Sequence, residues 1–282
     1  MTGKKIKEKV KLILLNIGFI LLSFLTLIPI LYAFSISISG SNSIISTEFH
    51  ILPKTITMDN YITILTERPF GRWFVNSLLL SALTVLLTML VAVPAAYVFS
   101  RMRFARRKRT LYILLVLNAF PAILSMFAIY RIIKTLNLLN SYMGLVFIYA
   151  GSMAIFVFWN MKGYFDTIPV EIAEAAMIDG CNPLQTFFGV VMPILKPTAI
   201  TVAILNAMWI WNDYLLPYLV IGLSTNYKTI PVVVQYLVGS YGAKDLGAMM
   251  ALLVLSVIPI IVFYLTCQKY IIEGVVAGAV KG

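Results

Sequence analysis

Hydrophobic and polar residues fall in long alternating blocks along this chain. Leu12 to Ile38 and Trp73 to Phe99 contain no charged residue. Neither do Leu111 to Tyr130, Tyr142 to Met161 or Leu246 to Cys267, and Thr198 to Leu223 carries only Asp213. About 20 apolar residues cross a bilayer as a helix. The pattern therefore predicts an all-α membrane protein of six transmembrane helices over residues 12–267. A polar tail over 1–11 precedes them and a tail over 268–282 follows. Secretory apolar cores run about 7–15 residues; the first block is far longer and reads as an uncleaved helix. Five blocks contain a proline (Pro29, Pro94, Pro121, Pro217 and Pro259). Each removes one backbone bond and should kink or loosen its helix.

Composition agrees with the blocks. Of 282 residues, 61% are hydrophobic and 12% charged, and the mean hydropathy is +0.94. That much apolar surface excludes a soluble domain and makes the bilayer the solvent. The net charge of +11 could suggest nucleic acid, but the basic residues stand beside the spans, where they set topology. Of the lysines and arginines, 15 lie on the side of both termini and 7 on the other. Five are lysines within the first eleven residues, and six lie in the run from Arg101 to Arg109. The positive-inside rule then places both termini in the cytoplasm, with residues 39–72 as the first outer loop. Cys181 and Cys267 both fall on the predicted inner side, so neither a disulfide nor a metal site is expected. His50 reads as a loop residue. No phosphate-binding G-x-x-x-x-G-K-[ST] motif, metal-ligand cluster or catalytic constellation occurs in the sequence.

The longest inner interruption is residues 166–197, DTIPVEIAEAAMIDGCNPLQTFFGVVMPILKP. Pro169 suits the first turn of a helix, and Glu171 and Glu174 suit its positive end. Ala173, Ala175 and Ala176 predict a thin surface open to close approach. Gly180 is the residue that most easily takes the left-handed conformation ending a helix. Asn182-Pro183 predicts a cap and first residue of a second short helix. Leu184, Phe187, Phe188 and Val191 then recur at helical spacing as one apolar stripe, and Pro193 and Pro197 are expected to close the segment.

This segment resembles the EAA loop of membrane subunits of ATP-binding-cassette importers: Glu-Ala-Ala, three residues, Gly, nine residues, then Ile-x-Leu-Pro. Here it stands as Glu174-Ala175-Ala176, Gly180 and Val190-x-Met192-Pro193, with two apolar-for-apolar departures. Asn60-Tyr61, Trp73-Phe74-x-Asn76-Ser77, the run Trp209 to Tyr214 and the tail Gly274 to Gly282, with Ala277 to Gly282 as its strongest marker, are similar to the carbohydrate-uptake branch, including the second membrane subunit of maltose-type importers. The resemblance implies a core of five helices arranged as in methionine- and maltose-importer permeases. It implies four kinds of partner: a sister permease, a dimer of ATP-binding subunits carrying ATP and magnesium, an extracellular solute-binding lipoprotein, and membrane lipid. It also implies that Glu171, Glu174, Ala175, Ala176, Asp179, Gly180 and Pro193 couple this chain to the ATPase. No cofactor is expected on this chain, and no nucleic acid.

A second set of candidates lies in the fifth block. Asn206, Trp209 and Asp213 stand at i, i+3 and i+7 of a helix, with Asn212 beside them. An acid, amides and an aromatic face suit a sugar's hydroxyls and its apolar ring surface. The alternative is structural: Trp209, Trp211, Tyr214 and Tyr218 as an interfacial belt, with Asp213 bonded to a neighbouring helix or to the sister subunit. Asn76, Ser77, Asn118 and Ser152 are open to the same two readings. Pro217 cannot donate to the carbonyl of Asp213, so the helix is expected to open there. Two rival functions stand beside the sugar importer. One is an importer of a non-sugar solute that shares the loop. The other is an ion-driven secondary transporter, against which count the lack of an internal repeat and the single acid within the spans.

Overall fold

The structure, a computed structural model, describes residues 3–40, 53, 55–119, 122–222, 226–241 and 246–279. His50, Pro121, Lys281 and Gly282 lie outside the described residues. Among the described residues every regular element is helical, apart from one isolated antiparallel bridge between Ser39 and Ile56. Among the described residues five helices are long and apolar enough to cross a membrane, and a bent pair brings the number to six if it counts as one span. The contacts divide the chain into two units, Met1–Phe70 with Tyr236–Val257, and Gly71–Gln235 with Ile258–Gly282.

In the first unit, α1 (Gly3–Ser37) runs unbroken through Pro29 and leaves its apolar side chains exposed. Its C-terminal end is tied to α2 (Asp59–Ile62), which continues as a π-helical turn, Thr63–Glu67. Asn60 Nδ2 donates to the carbonyls of Ser37 (3.0 Å) and Ser39 (3.1 Å), and the Ser37 and Tyr61 hydroxyls are 2.8 Å apart. These bonds account for the Asn60-Tyr61 pair. A Cβ on Gly247 would lie 2.6 Å from the Asn60 amide, so only glycine fits there.

The second unit holds α3 (Phe70–Arg101) from Gly71 on, α4 (Arg107–Ala119), α5 (Ala122–Thr135), α6 (Tyr142–Phe165) and α7 (Val170–Ile178). It continues with α8 (Pro183–Gln185), a π-helical stretch Thr186–Val191, α9 (Met192–Asn212) and α10 (Leu215–Ile221). The first half of α11 (Ile230–Tyr241), up to Gln235, and the second part of α12 (Leu246–Ala279), from Ile258, complete it. Lipid offers helices no hydrophobic reason to associate, so packing and polar bonds must hold them. Two apolar clusters do the packing. One joins Ala92, Val93 and Tyr97 of α3 to Val157, Met161 and Phe165 of α6 and to Leu195, Ala199 and Val202 of α9. The other joins Leu80, Leu145, Tyr149, Ile210, Val220 and Ile221. Between them on α3 lie Thr84 and Thr88, part of a buried hydroxyl stripe with Ser77 and Ser81.

Asn76 and Ser77 serve as polar glue. Asn76 Nδ2 donates to the carbonyls of Asn226 and Lys228, Tyr142 donates to the Asn76 carbonyl, and the Ile230 N–H donates to Ser77 Oγ. These bonds fix the segment entering α11 against the start of α3.

Two spans differ from the sequence expectation. The third, expected as one helix over 111–130, is divided: Arg107–Ala119 and Leu124–Thr135 meet at 102°. The fifth, expected over 198–223, begins earlier and breaks sooner. A continuous helical run Pro183–Asn212 ends at Asp213, whose backbone is extended (φ −77°, ψ 128°) before α10 resumes. By contrast α1, α3 and α12 continue through Pro29, Pro94 and Pro259. A proline alone does not break these three helices.

Candidate functional site

The coupling candidates form a helical hairpin. Pro169 stands as the N-cap of α7, one position before the expected first turn. Glu171 lies in the first turn, where the helix end favours it. At the other end the Cys181 N–H donates to the Ala176 carbonyl (3.0 Å) and the Gly180 N–H to the Met177 carbonyl (3.1 Å). This is the Schellman pair of bonds, and Gly180 supplies the left-handed residue it needs, at φ +91°. The chain re-enters a helix at once. Asn182 Oδ1 accepts from the Gln185 N–H and Gln185 Oε1 accepts from the Asn182 N–H, both at 2.9 Å, with Pro183 at the first helical position. This reciprocal box needs Gln185, which the Asn-Pro signal alone did not single out.

Glu171, Glu174, Ala175, Asp179 and Gly180 are exposed, as are Met177 and, at 86%, Ile178. Ala173 and Ala176 are not part of that surface. They are buried, and Ala173 packs in the cluster with Phe165 and Phe187. The expected thin alanine face is therefore one alanine flanked by carboxylates and larger apolar residues. The second stripe is also redrawn. Phe187 and Val191 are buried while Leu184 and Phe188 are exposed, Phe188 at 65%. The reason is the π-helical stretch Thr186–Val191. A π-turn shifts the angular register, so residues that share a face at 3.6 per turn are split between two faces. Pro193 and Pro197 close nothing, because α9 begins at Met192 with Pro193 in its first two positions and runs through Pro197.

The entry to the hairpin is clamped from α3. Arg101 Nη2 donates to the carbonyl of Phe165 (2.8 Å), which also accepts the Ile168 N–H (3.2 Å), and to the carbonyl of Ile168 (2.7 Å), just beyond the end of α6. Ser100 Oγ donates to Asp166 Oδ1 at 2.6 Å, and Lys162 Nζ meets Asp166 Oδ2 at 2.6 Å. Tyr97 packs on Phe165 and Phe187 with ring centroids 5.5 and 4.8 Å apart. Three separate segments thus meet at one aromatic cluster beneath the hairpin. Sequence reasoning missed Arg101, Ser100 and Asp166. Arg101 was counted only as one charge in a basic run, and nothing in the sequence marks it apart from Arg103 or Arg106.

The four pathway candidates do not share one face. The helix ends at Asn212, so Asp213 leaves the i+7 position expected for it. Asp213 Oδ2 accepts from the Tyr149 hydroxyl (2.7 Å) and Oδ1 from the Leu215 N–H (3.0 Å). The carboxylate thus bonds α6 and caps the restarted helix. Asn206 is 1% exposed and sits on the buried side of α9. Trp209 is 55% exposed, and Asn212, also exposed, donates to its own helix at the Met208 carbonyl (2.7 Å). Tyr149, wholly buried, is the partner that the sequence could not reveal.

Tyr149→Phe removes a hydrogen bond to a carboxylate, worth about 1.5–3 kcal/mol. The variant is expected to lower the amount of folded protein recovered and its thermal midpoint in detergent. Asp213→Asn keeps an acceptor for Leu215 and should cost less. Equal stability of Tyr149→Phe and the parent protein would show that this bond does not hold the break.

A multi-pass helical chain with an exposed hairpin clamped to the ends of α3 and α6 has the build of a membrane component, and its family makes it a component of a transporter. The chain belongs to the family of binding-protein-dependent transport system inner membrane components, which matches residues 85–276. It is 34% identical to the multiple sugar-binding transport system permease protein of Streptococcus mutans, over 99% of both chains. It is 31% identical to the galactooligosaccharides transport system permease protein of Bacillus subtilis, over the whole of both. The crystal structure of a bacterial transporter that imports the acidic polysaccharide alginate contains a similar chain. The TM-score is 0.79 at 27% identity, over 96% of this chain and 98% of that one.

Proposed function

We propose that this chain is the permease subunit of an ATP-driven importer that carries a sugar or oligosaccharide across the cytoplasmic membrane. The observation that carries the proposal is the exposed, self-capped hairpin at 170–191, clamped by Arg101 to the ends of α3 and α6. Such a hairpin can transmit force, because every bond that shapes it is internal to this chain while its outer surface is free for a partner. Glu171, Glu174, Ala175, Asp179 and Gly180 would face the ATP-binding subunit, which carries ATP and magnesium. Ala176 and Pro193 would act from beneath, by packing and by starting α9. The chain would work with a sister permease, a pair of ATP-binding subunits and a solute-binding lipoprotein. The charge asymmetry supports cytoplasmic termini.

The sugar class rests on the relatives, whose substrates are oligosaccharides and sugars. Within this chain the exposed side of α9 suits it best, with Trp209 offering a ring face and Asn212 an amide. Asn206 and Asp213 would then hold that helix in place from inside. The test is uptake into proteoliposomes holding the whole assembled transporter. Uptake of an oligosaccharide should stop with vanadate and persist with a protonophore. Uptake that survives vanadate and collapses with the protonophore would overturn the proposal.

A further inference from the structure

The loop between α3 and α4 carries more positive charge than topology needs, and it has a defined shape. Phe104 turns back so that its ring meets Phe99 edge-on, centroids 5.0 Å apart. Arg107 Nε donates to the Phe99 carbonyl at 2.7 Å, and Arg106 takes the left-handed conformation at φ +67°. These contacts fold the loop around a recess of about 570 Å³ lined by Arg103, Phe104, Arg106, Arg107 and Lys108. The lining holds four cations, one aromatic ring and no acid. Among the described residues, Arg103, Arg106 and Lys108 have no acidic partner within salt-bridge distance.

We propose that this recess binds the phosphate of an anionic phospholipid headgroup. Four cations line one concavity with no acid among them, and a phosphodiester there can accept several charge-assisted bonds. The loop joins two apolar helices, so it lies at a membrane surface. Met102, Phe104, Tyr112 and Val116 around it are exposed apolar residues suited to the glycerol and upper acyl region. The same end of α3 carries Arg101, which clamps the hairpin entry. A free phosphate offers the same anionic chemistry without the apolar part. An acidic surface on the ATP-binding subunit is the other candidate occupant.

The test uses the whole transporter in nanodiscs of mixed lipid and reads the motional restriction of spin-labelled phosphatidylglycerol against phosphatidylcholine. The parent protein should prefer the anionic lipid by about fivefold or more, given the attraction of basic residues to an anionic surface. The triple variant Arg103→Gln, Arg106→Gln, Lys108→Gln should lose most of that preference. It spares Arg101 and Arg107, which hold the structure. Lys7→Gln, Lys9→Gln, Lys11→Gln removes equal charge elsewhere and should keep the preference. Should the triple variant fail to insert, a photoactivatable anionic lipid on the parent protein decides the matter by its crosslink to peptides within 103–108. Three outcomes overturn the proposal: no preference, or no crosslink there; an equal loss in the lysine control; displacement of the lipid by millimolar inorganic phosphate, which assigns the recess to free phosphate. A fourth also does so, if the triple variant keeps its lipid preference but no longer retains the ATP-binding subunit. Sugar uptake is not read at all, so failure here leaves the transport proposal untouched.

Discussion

Gly180→Leu is expected to leave this protein in the membrane at its normal amount and to abolish uptake. The residue sits at φ +91°, and a side chain there would meet nothing within 4 Å of its Cβ. The substitution therefore causes no clash inside the chain. Its cost has two parts, a backbone penalty of roughly 1–2 kcal/mol for a left-handed residue other than glycine and a bulky group on the surface proposed to dock. Gly180→Ala separates them, since it carries the backbone penalty with only a methyl group added. Leu inactive with Ala largely active assigns the effect to docking; both inactive assigns it to the Schellman turn. Uptake measured beside the ATPase activity of the assembled complex makes the comparison. Normal uptake by Gly180→Leu, with Glu174→Ala also normal, would falsify the coupling role of the hairpin.

Arg101→Ala is expected to have an effect of similar size by another route. The guanidinium reaches two carbonyls at and just beyond the end of α6, each bond worth about 1.5–3 kcal/mol because the donor is charged. With the side chain gone, the Phe165 and Ile168 carbonyls lose that donor beside a buried aromatic cluster. The hairpin entry should then loosen while the spans stay packed. We expect ATP hydrolysis to continue while uptake falls by at least tenfold, the signature of uncoupling. Arg101→Lys should restore little, since both bonds come from the terminal Nη2 and the lysine nitrogen sits one atom shorter along its side chain. Retained, coupled uptake in Arg101→Ala would remove the clamp from the mechanism.

Much of this architecture was legible because lipid leaves few choices. A long charge-free block has few places to go but the bilayer, so α3, α6 and α12 were readable from composition alone, although the block over 111–130 proved to be a bent pair. Gly180 and Asn182-Pro183 were readable because helix ends have few chemical solutions. What could not be read depends on partners distant in sequence or on small changes of helical register. Arg101 differs from its basic neighbours only in lying near two carbonyls from residues 64 and 67 positions away. Phe188 left the stripe of Phe187 because a single π-helical stretch, whose one glycine, Gly189, does not by itself announce a change of register, rotated it outward. Asp213 was foreseen as the place where the fifth span opens. Its donor Tyr149, 64 residues earlier, was not.

The run from Pro183 to Asn212 joins the proposed docking surface to the middle of the bundle without interruption. Thirty residues at about 1.5 Å each make a rod of roughly 45 Å. A tilt of about 10° around its midpoint would carry each tip through roughly 4 Å, in opposite directions. The rod stops at the extended residue Asp213, beyond which α10 is free to take another direction. Asp213 is thus the far end of a lever arm, and the Tyr149 bond sets how firmly that end is seated. Weakening the seat would let the stroke spend itself on local give at Asp213, leaving Trp209 with less of the movement that began at Leu184.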